Sequence, residues 1–310
     1  MKVLISSRSF GKIDSGAVEL LKQVGLIPIM NPYGRKLTEQ EILDLQEDAV
    51  GIIAGTEKIT DKIISNNNQL KVISRYGIGL DNIDLKAAEN KNITVYNTPE
   101  TPTIAVAELT LSLILNLIKK IGMVDRNLRN HKWKPEIGNL LSDKTIGIIG
   151  LGRIGKKLVQ LLEPFNPKIY VSEINPDKYF ITKYNIDIVP IENIICSCDV
   201  ITLHVPMTKQ TKHIIGKNEL EAMKPSAIII NTARGGLIDE QALYNALKNN
   251  KIAGAAVDVF EEEPNTGDLV KLDNVLLTPH IGTYTVETRK HMEIEAANNL
   301  INGLKDLKII

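Results

Sequence analysis

Apolar positions fall into short runs of strand length, separated by segments with helical spacing. Residues 2–5 form the first run. Within residues 15–24 the apolar positions are 17, 18, 20, 21 and 24, the spacing of one helix face. Gly25 follows where a helix ends. Residues 26–30, 50–54 and 72–74 read as further strands. Thr38 opens another helix, with Glu41 three residues on, a capping box. Strands alternating with helices predict a parallel sheet with covering helices.

Pro99 and Pro102 interrupt this alternation, and residues 103–121 read as a helix that is apolar around most of its circumference. Such a helix is expected inside, between layers or domains. Its most apolar stretch, 109–118, contains Thr110, Ser112 and Asn116 and is too short to span a bilayer. A polar stretch, 127–139, holds the single tryptophan, Trp133. A second alternating unit starts at Lys144. Its strands are read at 145–149, 169–172, 200–203, 227–230, 255–259 and 275–277, and helices at 154–162 and 239–248. Residues 285–303 read as one long helix, and the pattern leaves open which half it covers.

A length of 310 residues suits two domains. Basic and acidic residues balance at 37 each, which argues against nucleic acid or an acidic membrane as the main partner. Aromatics are scarce, and Ile, Leu and Val dominate, as in a sheet buried on both faces. Cys196 and Cys198 cannot build a disulfide framework, no residues have metal-ligand spacing, and packing is the expected role of both. A reducing cytoplasm is the expected compartment. The opening apolar run turns polar at Ser6, too early for a signal peptide, so a soluble chain without an export signal is expected.

The chemistry concentrates in the second unit. Gly150-Leu151-Gly152-Arg153-Ile154-Gly155 matches GxGxxG between a strand and a helix. There Gly150 permits a tight turn, Gly152 lets the backbone approach a pyrophosphate, and Gly155 allows close helix packing. Amides at the helix start hold the anion. Glu173, ending the next strand, accepts from ribose hydroxyls and repels a 2′-phosphate, which predicts NAD over NADP. A structural turn beside a surface glutamate is the alternative.

Three ionisable residues follow strands: Arg234, Glu263 and His280. An arginine can grip a carboxylate bidentately, a histidine can exchange a hydroxyl proton, and a carboxylate can orient the imidazole. Oxidation of a hydroxy acid needs such a set. Each has a structural alternative: Arg234 as a strand cap or a bridge to Asp239, Glu263 as part of a solvated acidic loop, His280 as a loop histidine. His204, Val205 and Pro206 end another strand and border the cofactor or form a turn. His131, His213 and His291 are expected at the surface, and the stretch 82–84 is a candidate helix cap after glycines that leave amides open to an anion.

With these residues in view, the chain resembles the D-isomer-specific 2-hydroxyacid dehydrogenases, in particular their phosphoglycerate dehydrogenase branch. The matching stretches are Ser74-Arg75-Tyr76-Gly77-Ile78-Gly79-Leu80-Asp81-Asn82, the Gly150 turn, Leu203-His204-Val205-Pro206, Asn231-Thr232-Ala233-Arg234-Gly235-Gly236, Ala256-Val257-Asp258-Val259-Phe260 and Thr278-Pro279-His280-Ile281-Gly282. The resemblance implies two Rossmann-like domains with parallel sheets. An NAD-binding domain, 101–283, would be inserted into a discontinuous substrate domain, 1–100 and 284–310, with the site in the cleft. It implies that Arg234 binds carboxylate and carbonyl, that His280 donates the proton in reduction, and that Glu263 is its partner. The loop of Arg75, Tyr76 and Gly77 would hold the substrate carboxylate through backbone amides. Ile78, Arg153, Ile154, Glu173, Val205, Thr232, Ala233, Arg234, Asp258, Gly282 and Thr283 would line the cofactor, and the chain would form a homodimer.

The expected reaction is NAD-dependent interconversion of a D-2-hydroxy acid and its 2-keto acid, with 3-phosphoglycerate ahead of hydroxypyruvate or glyoxylate. Glu263 argues against the formate-type members, which resemble a Gln–His pair, and phosphite oxidation stays open. A reading of another class is an NAD-sensing, corepressor-like binding protein. Two departures bear on the substrate. Many phosphoglycerate enzymes carry an arginine where this chain has Ala54-Gly55, and Arg8 is the candidate replacement. The chain ends at Ile310, so a C-terminal regulatory domain is not expected.

Overall fold

A computed structural model describes all 310 residues. It contains two compact units, Met1–Pro102 with Thr283–Ile310, and Thr103–Gly282. Each is built on one parallel sheet.

The first unit has five strands, β1 (Lys2–Ile5), β2 (Ile27–Met30), β3 (Gly51–Ala54), β4 (Val72–Arg75) and β5 (Thr94–Tyr96), in the order β2-β1-β3-β4-β5. Successive side chains of a strand point to opposite faces, and here both faces are buried. Val3, Ile5, Ile53 and Val72 pack on one side with the helices Gly16–Gln23 and Val286–Asp306. Leu4, Ile52, Ala54 and Ile73 pack on the other with Glu39–Gln46, Asp61–Asn66 and Leu85–Asn90. The long C-terminal helix buries Met292, Ala296, Ala297, Leu300, Ile301 and Leu304 against this sheet, which settles the half it covers. The Thr38–Glu41 capping box is formed in both directions. Asp84 caps the helix Leu85–Asn90 by accepting from the Ala87 amide at 2.9 Å.

The second unit has seven strands, β6 (Thr145–Ile149), β7 (Lys168–Ser172), β8 (Asp187–Ile188), β9 (Val200–Leu203), β10 (Ile228–Asn231), β11 (Gly254–Val257) and β12 (Val275–Leu277). Their order is β12-β11-β10-β9-β6-β7-β8, so the strand order reverses between β6 and β9. The helix expected at 103–121 stops earlier. It runs Pro102–Lys119, and Lys120, at φ 56, turns the chain into a second helix, Ile121–Arg129. Part of the polar stretch read from 127 is therefore helical. At 18 residues the first helix is longer than its most apolar stretch, and it is long and apolar enough, by length and composition alone, to cross a membrane. Its residues Ala107, Leu113, Ile114 and Ile118 pack into the core with Ile146, Ile148 and Ile230. Of the two cysteines only Cys198 is a packing residue; Cys196 is exposed.

Candidate active site

In an open parallel sheet, ligands bind beyond the carboxyl ends of strands where the strand order reverses. In the second unit that point lies between β6 and β9, and the glycine turn leaves β6 there. Gly150 has φ 97, a conformation favouring glycine, and a Cβ on it would come within 2.8 Å of the His204 backbone. A Cβ on Gly155 would meet the Gly150 carbonyl at 2.4 Å, so the helix Arg153–Leu162 can start only with glycine there. A Cβ on Gly152 would meet nothing within 4 Å. The turn is thus tight toward the protein and open where an anion would approach the helix start, which Arg153 and Ile154 begin. This geometry fits a dinucleotide.

Glu173, just past β7, folds toward the same turn. Its carboxylate accepts from the amides of Leu151 at 2.7 Å and Asn175 at 3.0 Å. Burial alone raises a carboxyl pKa, but amides from Asn175, Leu151 and Ile174 outweigh it and hold Glu173 below its ordinary value. The residue is anionic and tied to the glycine turn. Its sequence position alone suggested only the contact to ribose.

The loops after β11 and β12 bring two of the three ionisable residues together. His280 Nδ1 lies 3.0 and 2.9 Å from the carboxylate oxygens of Glu263. Both side chains are partly exposed. The loop that carries the imidazole is held by Asp258, which has no exposed surface. Asp258 accepts from the Thr278 hydroxyl at 2.6 Å, the Ile281 amide at 2.8 Å and the Gly282 amide at 3.0 Å. Its backbone carbonyl accepts from the His280 amide at 2.9 Å. These bonds fix the loop in which His280 takes a left-handed φ of 54. Burial moves the Asp258 carboxyl pKa upward, against the pull of the Thr278, Ile281 and Gly282 donors. The resemblance put Asp258 beside the cofactor; the contacts in the structure make it the anchor of the His280 loop.

Arg234 follows β10. Its loop is held by Asn231, which accepts from the Ala233 amide at 3.1 Å and donates to the Arg234 carbonyl at 2.8 Å. Arg234 Nη1 donates to the Ala233 carbonyl at 2.7 Å. The Thr232 hydroxyl is 2.8 Å from that of Thr110 on the helix Pro102–Lys119. His204, at the end of β9, hydrogen-bonds Thr202 through Nε2 at 3.0 Å, and its Nδ1 is buried without a partner. Burial lowers its pKa to about 4, so the ring is neutral. Val205 and Pro206 continue from it as irregular chain. Gly282 closes this unit and Thr283 opens the next segment of the first.

Arg75, Tyr76 and Gly77 leave β4 in the first unit. Arg75 Nε donates to Asn82 Oδ1 at 3.2 Å, and its Nη1 bonds the Tyr76 carbonyl. Of the amides expected to hold a carboxylate, that of Tyr76 already donates to the Ala54 carbonyl, and that of Gly77 to Thr98 Oγ1 and the Arg75 carbonyl. The amides of Ile78 and Gly79 donate to no protein group. The open amides of this loop are thus those of Ile78 and Gly79, directly after the three residues of the motif.

Residues 111–282 match the family model described as D-isomer specific 2-hydroxyacid dehydrogenase, NAD binding domain. The chain is 41% identical over 295 residues to the D-3-phosphoglycerate dehydrogenase of Methanocaldococcus jannaschii, covering 94% of this chain and 55% of that protein. It spans little more than half the length of this and two further curated phosphoglycerate dehydrogenases. It is 36% identical over 300 residues to the hydroxypyruvate reductase of Thermotoga maritima, covering 94% of this chain and 96% of that one. The crystal structure of the TT0316 protein from Thermus thermophilus superposes with a TM-score of 0.91 at 33% identity, over 99% of this chain and 97% of that chain. With a family model over more than half its length and relatives alike from end to end, this chain belongs to the D-isomer specific 2-hydroxyacid dehydrogenases.

Proposed function

We propose that the chain is an NAD-dependent oxidoreductase that interconverts a D-2-hydroxy acid and its 2-keto acid, with 3-phosphoglycerate as the leading substrate. The observation that carries this reading is the His280–Glu263 pair, built on strand-end loops of the same unit that holds the glycine turn. Gly150, Gly152, Arg153, Ile154, Gly155 and Glu173 would hold NAD, whose nicotinamide, when bound, exchanges a hydride with the substrate carbon. A carboxylate only accepts hydrogen bonds, so His280 donates to Glu263 through Nδ1 and exchanges the substrate proton at Nε2. Arg234 carries a planar fork suited to the substrate carboxylate.

The relative that this chain spans almost completely is named a hydroxypyruvate reductase, and this favours hydroxypyruvate as the second substrate reading. The chain is proposed to work as a homodimer in the cytoplasm. Ile121, Leu128, Trp133, Ile137 and Leu140 of the second unit are exposed, the tryptophan by 88%, and an apolar surface of this kind suits a subunit contact. Two unpaired cysteines suit a reducing compartment.

The test is NADH oxidation with phosphohydroxypyruvate, hydroxypyruvate, glyoxylate and pyruvate, with Arg234→Ala as control. Turnover of at least one keto acid that falls by more than tenfold in Arg234→Ala supports the reading. NADH binding without turnover of any of them is the behaviour of a sensor and overturns it. Light scattering after gel filtration reads the subunit count.

A further inference from the structure

Glu263 stands in the loop that leaves β11, and the chain around it is irregular. Its own backbone reaches it once, where the Phe260 amide donates to its carboxylate at 3.2 Å. Further support comes from outside the loop. The helix Glu240–Lys248 begins beside it, and its first residue, Glu240, is partly buried. One carboxylate oxygen of Glu240 accepts from the Glu261 amide at 2.6 Å and the other from Asn265 Nδ2 at 3.4 Å. Glu261 and Asn265 stand on either side of Glu263, so one side chain ties down both ends of the turn. Asn265 is itself oriented, because its Oδ1 accepts from the Gly267 amide at 3.2 Å. The Glu261 side chain is held by His213 Nε2 at 3.0 Å. At the start of the turn, a Cβ on Gly235 would come within 1.9 Å of the Phe260 carbonyl, so the loops of Arg234 and Glu263 meet backbone to backbone.

The plainest role for Glu240 would be to serve its own helix, since a carboxylate in the first turn interacts favourably with the helix dipole. Two observations favour the loop instead. The helix already has a side-chain cap, Asp239, which accepts from the Ala242 amide at 2.9 Å. And Glu240 holds its place at a cost. Burial, and after it the carboxylates of Glu261 and Glu262, raise its pKa against the pull of the Glu261 amide. Both of its hydrogen bonds in this crowded place go to the turn that carries Glu263.

We propose that Glu240 is a positioning residue. By bracketing the turn at Glu261 and Asn265 it holds the Glu263 carboxylate against His280 Nδ1, and so leaves Nε2 for the substrate proton. The reach of the side chain does this, not its charge. The inference rests on the proposed function and adds to it a residue that acts only through Glu263.

The experiment separates reach from charge. Glu240→Gln keeps the length and an oxygen for the Glu261 amide. Glu240→Asp keeps the charge at the helix start but is one methylene shorter. In keto-acid reduction with NADH, Glu240→Asp should lower kcat by about tenfold with KM within about twofold, the mark of a misplaced group rather than lost binding. Glu240→Gln should stay within about threefold of wild type. In a Glu263→Gln background, Glu240→Asp should change kcat by less than about twofold, because the residue it acts through is already lost. Glu240→Asp no slower than Glu240→Gln overturns the inference, as do effects that multiply in the double variant. A second measurement needs no turnover. Nitrogen-15 spectra of the His280 ring, assigned by its loss in His280→Ala and read at the alkaline end of the titration, report which nitrogen carries the proton. Wild type should carry it on Nδ1 and Glu240→Asp on a mixture of both nitrogens, and the same tautomer in both proteins overturns the inference. A wild type that holds the proton on Nδ1, and loses that preference in Glu240→Asp, yet reduces no keto acid would refute the proposed reaction and leave the positioning role standing.

Discussion

His280 Nδ1 sits within 3.0 Å of both carboxylate oxygens of Glu263, so one imidazole nitrogen is committed to the protein and the other is left for chemistry. Reduction needs the imidazole protonated and oxidation needs it neutral. His280→Ala should therefore lower kcat in both directions, by about 10²–10⁴-fold for a lost acid or base. Glu263→Gln replaces the carboxylate that holds Nδ1 by a neutral amide, so the ring loses its fixed orientation and kcat should fall more than KM rises. Steady-state kinetics in both directions check this. Unchanged kcat would make Glu263 an ordinary loop carboxylate.

Asp258 should matter to turnover without touching the substrate. Asp258→Asn keeps the shape but cannot accept from Thr278, Ile281 and Gly282 as the carboxylate does. A buried donor left unsatisfied costs about 1–3 kcal/mol. Urea unfolding should show a loss of that size, and kcat should fall more than KM rises, because His280 loses the support for its left-handed backbone. A variant as stable and as fast as wild type would remove the anchoring role.

Glu173 should set the choice of cofactor. Its negative charge opposes a 2′-phosphate, so wild type should prefer NADH. Glu173→Ala should narrow that preference by about 1–3 kcal/mol. Dissociation constants for NADH and NADPH, measured on both proteins, decide it, and a wild-type preference for NADPH would refute the assignment.

His204 should make the fold sensitive to mild acid. Its pKa is lowered from 6.5 to about 4 by burial, so between those values the unfolded chain binds the proton that the folded chain refuses. Stability is then complete above pH 6.5 and declines as pH falls toward 4. At pH 5 the single group costs about 2 kcal/mol relative to pH 7. Urea titrations at both pH values should show a smaller acid loss for His204→Gln than for wild type.

The two alternating α/β units, the parallel character of both sheets, the glycine turn and the family are legible in the order of residues alone. Those features are local. A strand buried on both faces is an unbroken apolar run, and a capping box or a GxGxxG turn is written in consecutive residues. Helices of six or seven residues, such as Asp61–Asn66 and Lys217–Ala222, were not legible, because they are too short for a helical period to stand out. The break at Lys120 was hidden inside a continuous apolar pattern. That the last helix closes the first sheet emerges only from packing in three dimensions, because its apolar face would suit either half. Only that packing shows that Asp258 spends its carboxylate on the His280 loop, that Ile78 and Gly79 hold the open amides after β4, and that Arg289 reaches Ser9 from 280 positions away. Hydrogen-bond partners across such separations are chosen by how packed elements meet, and no spacing along the chain encodes that choice.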